Sequence, residues 1–258
     1  LVNSTHTSYV NNKGTMTAEG TTFTSYVIST GTLTITDNTF ESYLQISGTE
    51  NITASGNVFT GAETVRLTDY SGTIADALAI VSEAMAEDAY MGISGKLYTI
   101  TLEDVREKLS GGYRLAGNVT IESGNTVSLA DGVSITQKGN DITVYGTLNA
   151  EYETVAEAFV SNSSNANINV QDGGVVHLKN ASVNLSGSYS QLIVSSGGTY
   201  NMTGGSLYVA YYGISVSSGG AMGLNGVDVK SHIDNSGTLE LVNSTHTSYV
   251  NNKGTMTA

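Results

Sequence analysis

Hydrophobic and polar positions alternate along this chain in short runs. Thr32-Leu33-Thr34-Ile35-Thr36 is representative, with an apolar side chain at every second residue and threonine between. Such alternation predicts a half-buried β-strand, with Leu33 and Ile35 inward and the threonines outward. The runs recur at a fixed distance. Gly14, Gly31 and Gly48 stand seventeen residues apart, and so do Gly220, Gly237 and Gly254. The segments between them align without gaps: GTMTAEGTTFTSYVIST from Gly14, GTLTITDNTFESYLQIS from Gly31 and GTLELVNSTHTSYVNNK from Gly237. Three ladders follow. His6, Phe23 and Phe40 share one position, Tyr9, Tyr26 and Tyr43 a second, and Val10, Val27 and Leu44 a third. A unit this short cannot bury its own apolar face, so it must stack on its neighbours. Helical repeats need about 30–45 residues per unit. The residue types, mainly Thr, Ser, Val, Tyr, Asn and Gly, also favour strand over helix. The pattern therefore predicts an all-β chain, a right-handed parallel β-helix (β-solenoid) with one turn of chain per rung.

The texture changes at Thr73. In TIADALAIVSEAMAEDAYMG the residues Ile74, Leu78, Val81 and Met85 fall on one helical stripe. Thr73 with Asp76 forms a capping pair, and Gly92 can end the segment. The spacing predicts a helix over 73–89 and a shorter one over 101–109, with Leu102, Val105 and Leu109 on one face and a strand at 96–100 between them. Alternating strands resume after Gly112. Corner glycines at 146, 174, 198 and 220 are spaced 28, 24 and 22, and the spacing settles to seventeen at Gly237. This predicts coils that narrow along the chain. The coil from Gly48 carries two extra residues before Phe59, and EYETVAEAF (151–159) reads as one helical turn on a corner. The expected organisation is 1–70 as solenoid coils, 71–112 as a small helical insertion and 113–258 as solenoid coils. The helical stripe is expected to cover its own solenoid; docking to a neighbouring fibre is the second possibility.

One feature is longer-ranged. Residues 1–18 read LVNSTHTSYVNNKGTMTA, and residues 241–258 repeat them without a substitution. Exposed strand positions tolerate many residues, so folding alone does not demand this identity. The simplest account is a tandem repeat of 240 residues, the chain being a slice of a longer periodic protein that associates end to end with itself. At about 4.8 Å per rung, roughly ten coils would advance the array on the order of 50 Å per period.

Composition sharpens the picture. Proline is absent from the 258 residues and glycine occurs thirty times. Nearly every solenoid strand is central, where a missing N–H breaks a ladder, and tight corners often need positive φ. There is no cysteine, hence no disulfide or thiolate metal site. The net charge is −13 with only ten Lys and Arg. That argues against nucleic acid and against an anionic membrane surface. No apolar run approaches the roughly 18 residues of a membrane span, so no membrane insertion is expected in this segment. No signal peptide is visible.

Residues 193–221 read IVSSGGTYNMTGGSLYVAYYGISVSSGGA. The recurring V-S-S-G-G-[TA] resembles the repeats of bacterial surface adhesins and autotransporter passenger domains. The resemblance implies a right-handed parallel β-helix of the pectin-lyase-like kind, an extracellular or cell-surface location, and an adhesive or scaffold role. The helical segment departs from that pattern, as does the long exact repeat.

Some pectin-lyase-like solenoids act on polysaccharides, and such chemistry needs clustered carboxylates. Here Asp37 and Glu41 share a coil, but Gly20 and Thr24 are their counterparts one coil away. Asp228 and Asp234 flank Lys230 and His232 and read as solvated charge. His6 reads as a stacked, half-buried ring, and no metal-spaced cluster or Ca²⁺ repeat occurs. No catalytic residue, cofactor or metal site is expected, and the chain is not expected to be an enzyme. Tyr9, Tyr26 and Tyr43, about 4.8 Å apart as a ladder, could stack against sugars, as could Tyr208, Tyr211 and Tyr212. Stacking among themselves is the plainer reading. The Asn-x-Ser/Thr triplets at Asn3, Asn51, Asn118, Asn162, Asn180, Asn184 and Asn201 are background in so Ser/Thr-rich a chain. The expected function is a structural repeat unit of an extracellular fibrous surface protein: filament, stalk or adhesin shaft. A carbohydrate-binding adhesin module, with host or environmental glycans as partners, is the alternative. A polysaccharide lyase or hydrolase is the third.

Overall fold

A computed structural model describes residues 1–48 and 51–258. It comprises two compact units, Leu1–Ala116 and Gly117–Ala258. The fold is a parallel β-solenoid in both.

In the first unit the first three coils each contribute to three sheets, and the later coils to two of them. Thr15–Glu19, Thr32–Thr36 and Ile52–Ser55 make one. Thr5–His6, Thr22–Phe23, Thr39–Phe40, Val58–Phe59 and Glu83–Ala84 make the second. Val10–Asn12, Val27–Ser29, Leu44–Gly48, Glu63–Tyr70 and Tyr90–Leu97 lie side by side in the third. Every one of these pairings is parallel. The seventeen-residue register of the alignment is the register of the sheets: His6 pairs with Phe23 and Phe23 with Phe40. The next rung is wider, since Phe40 pairs with Phe59 and Leu33 with Ile52. The two extra residues fall between Ile46 and Asn51. That stretch includes Thr49 and Glu50, which lie outside the described residues.

Alternation decides what is inside. Leu33, Ile35, Val27, Leu44 and Val65 are fully buried, and Phe23, Phe40 and Phe59 stack along the interior. Their ring centroids are 5.0 and 4.7 Å apart, with interplanar angles of 16° and 10°. Gly48 has the expected positive φ, 74°, but Gly31 and Gly237 have a different cause. A Cβ on Gly31 would lie 2.1 Å from the carbonyl oxygen of Gly14, and one on Gly237 would lie 2.3 Å from that of Gly220. Neither has positive φ. Close approach of one coil's backbone to the next excludes a side chain there.

The helical insertion is smaller than its stripe predicted. Thr73 caps the helix Ile74–Ala79: its Oγ1 accepts from the Asp76 N–H at 3.1 Å and donates to Asp76 Oδ2 at 2.7 Å. The helix ends there. Glu83–Ala84 has become a strand, paired with Val58–Phe59. Met85 is 64% exposed, while Ile74, Ala77, Ile80 and Val81 are buried. Glu83 and Met85 N–H donate instead to the Asn57 and Phe59 carbonyls, at 3.1 and 2.8 Å, on the open ladder of Val58–Phe59. The second helix, over 101–109, does not form. Ile100–Leu102 is a strand, and one turn follows in which Leu109 N–H donates to the Val105 carbonyl at 2.7 Å. Leu102, Val105 and Leu109 are buried as the stripe required. The strand expected over 96–100 starts earlier, as Tyr90–Leu97.

In the second unit the coils narrow as expected. Ile142 pairs with Ile168, then Leu192, Ile214, Ile233 and Val250, so successive spacings fall from 26 to 17 residues. The helical turn expected at 151–159 is absent, because Thr147–Ser161 is one long strand. Its central residues bridge a corner and its ends pair with Val175–Leu185 on both sides. Phe159 is fully buried there, and Tyr152 donates its hydroxyl to the Val133 carbonyl.

Candidate functional site

The eighteen-residue coil occurs twice in the sequence, and both copies fold alike. Thr5–His6 and Val10–Asn12 match Thr245–His246 and Val250–Asn252, and Thr15–Glu19 matches Thr255–Thr257. Asn3 and Asn243 share an unusual positive φ, 46° and 49°. The two copies differ in which edge is occupied. In the first, Thr5, Val10 and Thr15 pair with Thr22, Val27 and Thr32 of the coil that follows. In the second, Thr245, Val250 and Thr255 pair with Asp228, Ile233 and Thr238 of the coil that precedes. One sequence thus fits a neighbour on each side.

Side chains follow the same rule. On the asparagine corner, Asn235 Nδ2 donates to Asn252 Oδ1 at 2.7 Å, and Asn12 Nδ2, the same repeat position, donates to Ser29 Oγ at 3.1 Å. A second polar corner runs from the Val227 N–H, which donates to Ser244 Oγ at 3.1 Å. Its twin Ser4 meets Thr21 Oγ1 at 3.3 Å. Thr21 N–H then donates to Asn38 Oδ1, and Asn38 to Asn57 Oδ1, at 2.9 and 3.1 Å. Asn12, Asn38, Asn57 and Asn235 are buried away from water, so each must find its partner within the stack of coils. The left-handed corner also continues: Gly204, Gly226 and Asn243 on one side, Asn3, Gly20, Asp37 and Gly56 on the other, all have positive φ.

The tyrosine ladder is stacked. Tyr9, Tyr26 and Tyr43 have centroids 5.5 and 5.3 Å apart, at 20° and 4°. The Arg66 guanidinium lies 3.7 Å over Tyr43 and is held by two hydrogen bonds to Glu63, at 2.7 and 2.8 Å. Burial raises the Tyr43 phenol pKa above its ordinary value. At the other copy, Tyr249 stacks on His232 at 5.1 Å and 11°. Tyr26 therefore has a ring on each face, and Tyr43 a ring on one and a cation on the other. They present edges to solvent, whereas a sugar stacks on a face.

Tyr208, Tyr211 and Tyr212 do not form one patch. Tyr208 stands on the outer side of Ser206–Val209, in a groove of about 260 Å³ with Glu157, Asn184 and Lys230. Tyr211 and Tyr212 instead meet Tyr189, at 5.1 and 5.5 Å, and each other at 5.0 Å. Tyr189 was not singled out from the sequence. Its distance to Tyr211 equals that from Gly198 to Gly220, and this shared 22-residue spacing is the signal that could have found it.

Several acidic residues are employed in the scaffold. Asp69, Asp131 and Asp141 accept backbone N–H groups of Lys96, Glu153 and Asn167 on neighbouring coils. Asp228 pairs with Lys230 at 3.0 Å and accepts from Thr245 Oγ1 at 2.8 Å, and both contacts lower its pKa. His232 and Asp234 are 4.0 Å apart. His6 is half-buried, edge-on to Phe23 at 6.4 Å, and His246 Nε2 lies 2.8 Å from the Ser231 carbonyl oxygen. Among the described residues no metal-spaced cluster of His, Asp and Glu occurs, and no helix is long and apolar enough to cross a membrane.

No protein-family model matches the chain, and no curated protein matches its sequence. Among solved structures it is similar to the crystal structure of a hyper-glycosylated TibA fragment whose glycosylation is catalysed by TibC. That match has 14% identity, spans 100% of this chain and 96% of that one, and has a TM-score of 0.25.

Proposed function

We propose that this chain is a structural shaft segment of a fibrous extracellular surface protein, built as a tandem array with a 240-residue period. The observation that carries the reading is the duplicated coil. The same eighteen residues pair through one edge with the coil after them and through the other with the coil before them. A continuous array needs such a coil, and a closed monomer does not. Every ladder that reaches the second copy has its continuation above the first. Self-association is then covalent succession, period after period. The surface location and adhesin relationship rest on the V-S-S-G-G-[TA] resemblance and form part of the proposal.

The chain is proposed to act without catalysis; Asp69, Asp131 and Asp141 serve inter-coil bonds, and the described residues hold no metal-spaced cluster of His, Asp and Glu. For Tyr9, Tyr26 and Tyr43 the structural role is adopted: both faces of Tyr26 and Tyr43 are covered, and in the array the His232 position would cover the open face of Tyr9. The test is a chain of one, two and three periods joined without a linker. Electron microscopy of each should show a rod whose length grows by a constant increment per period. Rods of unequal increments, or separate globules joined at the eighteen-residue coil, would overturn the reading.

A further inference from the structure

We propose that Tyr189 and Tyr211 are an oxidative crosslinking site, at which a dityrosine bond staples two successive coils. The two residues occupy one turn position on neighbouring rungs, three residues before the paired Leu192 and Ile214. In the two preceding coils the same position holds Gly139 and Asn165, and all four have positive φ. Glycine and asparagine suit that left-handed conformation; tyrosine does not. Both tyrosines adopt φ of 63°. Identical strained turns one rung apart aim the two side chains alike, which is why their rings meet. A residue that breaks the local rule in two successive coils, with no packing gain inside the core, points to a use outside it.

The rings are accessible and in contact. Tyr189 is 48% and Tyr211 68% exposed, with centroids 5.1 Å apart and planes at 65°. The ladder Tyr9–Tyr26–Tyr43 has similar distances but parallel, face-covered rings. Exposed side chains reorient in nanoseconds or less, so the tilted pair can bring its ring edges together. The stacked pair is held face to face.

The chemistry needs a one-electron oxidant, such as a haem peroxidase with hydrogen peroxide. Each phenol loses one electron and one proton to give a tyrosyl radical. The radicals couple through the carbons ortho to oxygen, and each ring then moves its ortho proton to the phenolic oxygen to regain aromaticity. One peroxide takes up the two electrons and two protons and leaves as two waters. The product closes a loop between adjacent coils and so restricts the unfolded chain, as a disulfide does in other proteins. The chain has no cysteine to do this. The value of a staple rests on the shaft reading; the coupling itself does not.

The experiment treats dilute full-length protein with peroxidase and peroxide, isolates the monomer, and reads dityrosine fluorescence and the crosslinked peptide by mass spectrometry. The expected result is a peptide pair joining Tyr189 to Tyr211, two hydrogens lighter than its parts. Tyr189→Phe keeps the ring and should lose that product, whereas Tyr26→Phe should retain it. Absence of dityrosine in the wild-type monomer, formation only between molecules, or an unchanged yield in Tyr189→Phe would each overturn the proposal. None of these outcomes bears on the array-length test.

Discussion

Replacing Phe40 by alanine tests the stacked-rung arrangement most directly. The ring is fully buried between Phe23 and Phe59, at 5.0 and 4.7 Å. Deleting a buried Phe side chain costs about 3–5 kcal/mol. Two lost ring contacts and flanking coils fixed by hydrogen bonds, so that the cavity cannot collapse, put the expected loss near the top, ~5 kcal/mol. Tyr26→Ala is the matched control. It also lies between two stacked rings, at 5.5 and 5.3 Å, but on the outer side of the coil and half-buried. Without a core cavity its loss should be about 1–2 kcal/mol. Urea denaturation should show the difference, and amide exchange should place the Phe40 effect on its own and the adjacent rungs, because contacts in a solenoid reach only neighbours. Equal losses for the two variants, or exchange accelerated evenly over the whole chain, would refute the assignment of interior and exterior ladders.

Three further outcomes follow from single contacts. Thr39→Pro should cost on the order of 1–3 kcal/mol more than Thr39→Ala in urea denaturation, because Thr39 N–H donates to the Thr21 carbonyl at 3.0 Å and proline would leave that acceptor unpaired; equal stabilities would deny the ladder. Asn38→Ala should lose on the order of 3 kcal/mol, since Asn38 is fully buried and bonds Ala18, Thr21 and Asn57 at once, and a calorimetric Tm unchanged from wild type would contradict this. Alkaline pH should destabilise the fold: burial raises the Tyr113 and Tyr200 pKa values above the ordinary 10.0, so the unfolded chain gives up these protons first and stability, complete below pH 10, falls as pH rises above it. Phenolate absorbance should show these two of the fifteen tyrosines ionising only with unfolding; fifteen titrating together in a folded chain would exclude it.

The solenoid was legible because its signals are local and repeated. The glycine spacing gave the register of His6 on Phe23 and Phe23 on Phe40, and the widening to 28 residues and back gave the narrowing coils. Burial was legible even where backbone was not. Leu102, Val105 and Leu109 are all inside, but through a strand and a turn instead of a helix. For Leu102, Val105 and Leu109 the stripe recorded which side chains are buried, whereas Met85 of the first stripe is exposed; a neighbouring coil with free backbone groups decides the conformation. The same competition converts Glu83–Ala84 and the segment around Val155 into strand. The Tyr189 cluster was harder to read because coil length varies there: the 22-residue spacing it shares with Gly198 and Gly220 was the one sequence signal, and the strand register aligns Tyr189 with Tyr211.

An exact repeat is more than stacking requires at its exposed positions, yet the internal ladders explain part of the constraint. In the proposed array a residue of the duplicated coil must satisfy two different neighbours. The position of Asn12 and Asn252 must accept from Asn235 on one side and donate to Ser29 on the other, which an amide can do and a carboxylate cannot. The position of Tyr9 and Tyr249 must lie flat against His232 and against Tyr26. The position of Val10 and Val250 must fill the space between Ile233 and Val27. Each requirement is set from opposite ends of the 240-residue period, so a substitution that suits one neighbour is checked by the other. A chain of Asn12→Asp carried in both copies should therefore keep the bond accepted from Asn235 and fail at the other edge, losing the bond to Ser29 and placing a carboxylate where Gly14 N–H now donates to Asn12 Oδ1 at 3.2 Å and the Thr32 carbonyl now accepts at 3.0 Å. The Gly14 contact would survive and the Thr32 contact would become repulsive. In a two-period chain the expected outcome is accelerated amide exchange centred on the junction coil. Protection at the junction equal to that of the parent chain would show that the two copies do not meet as one coil.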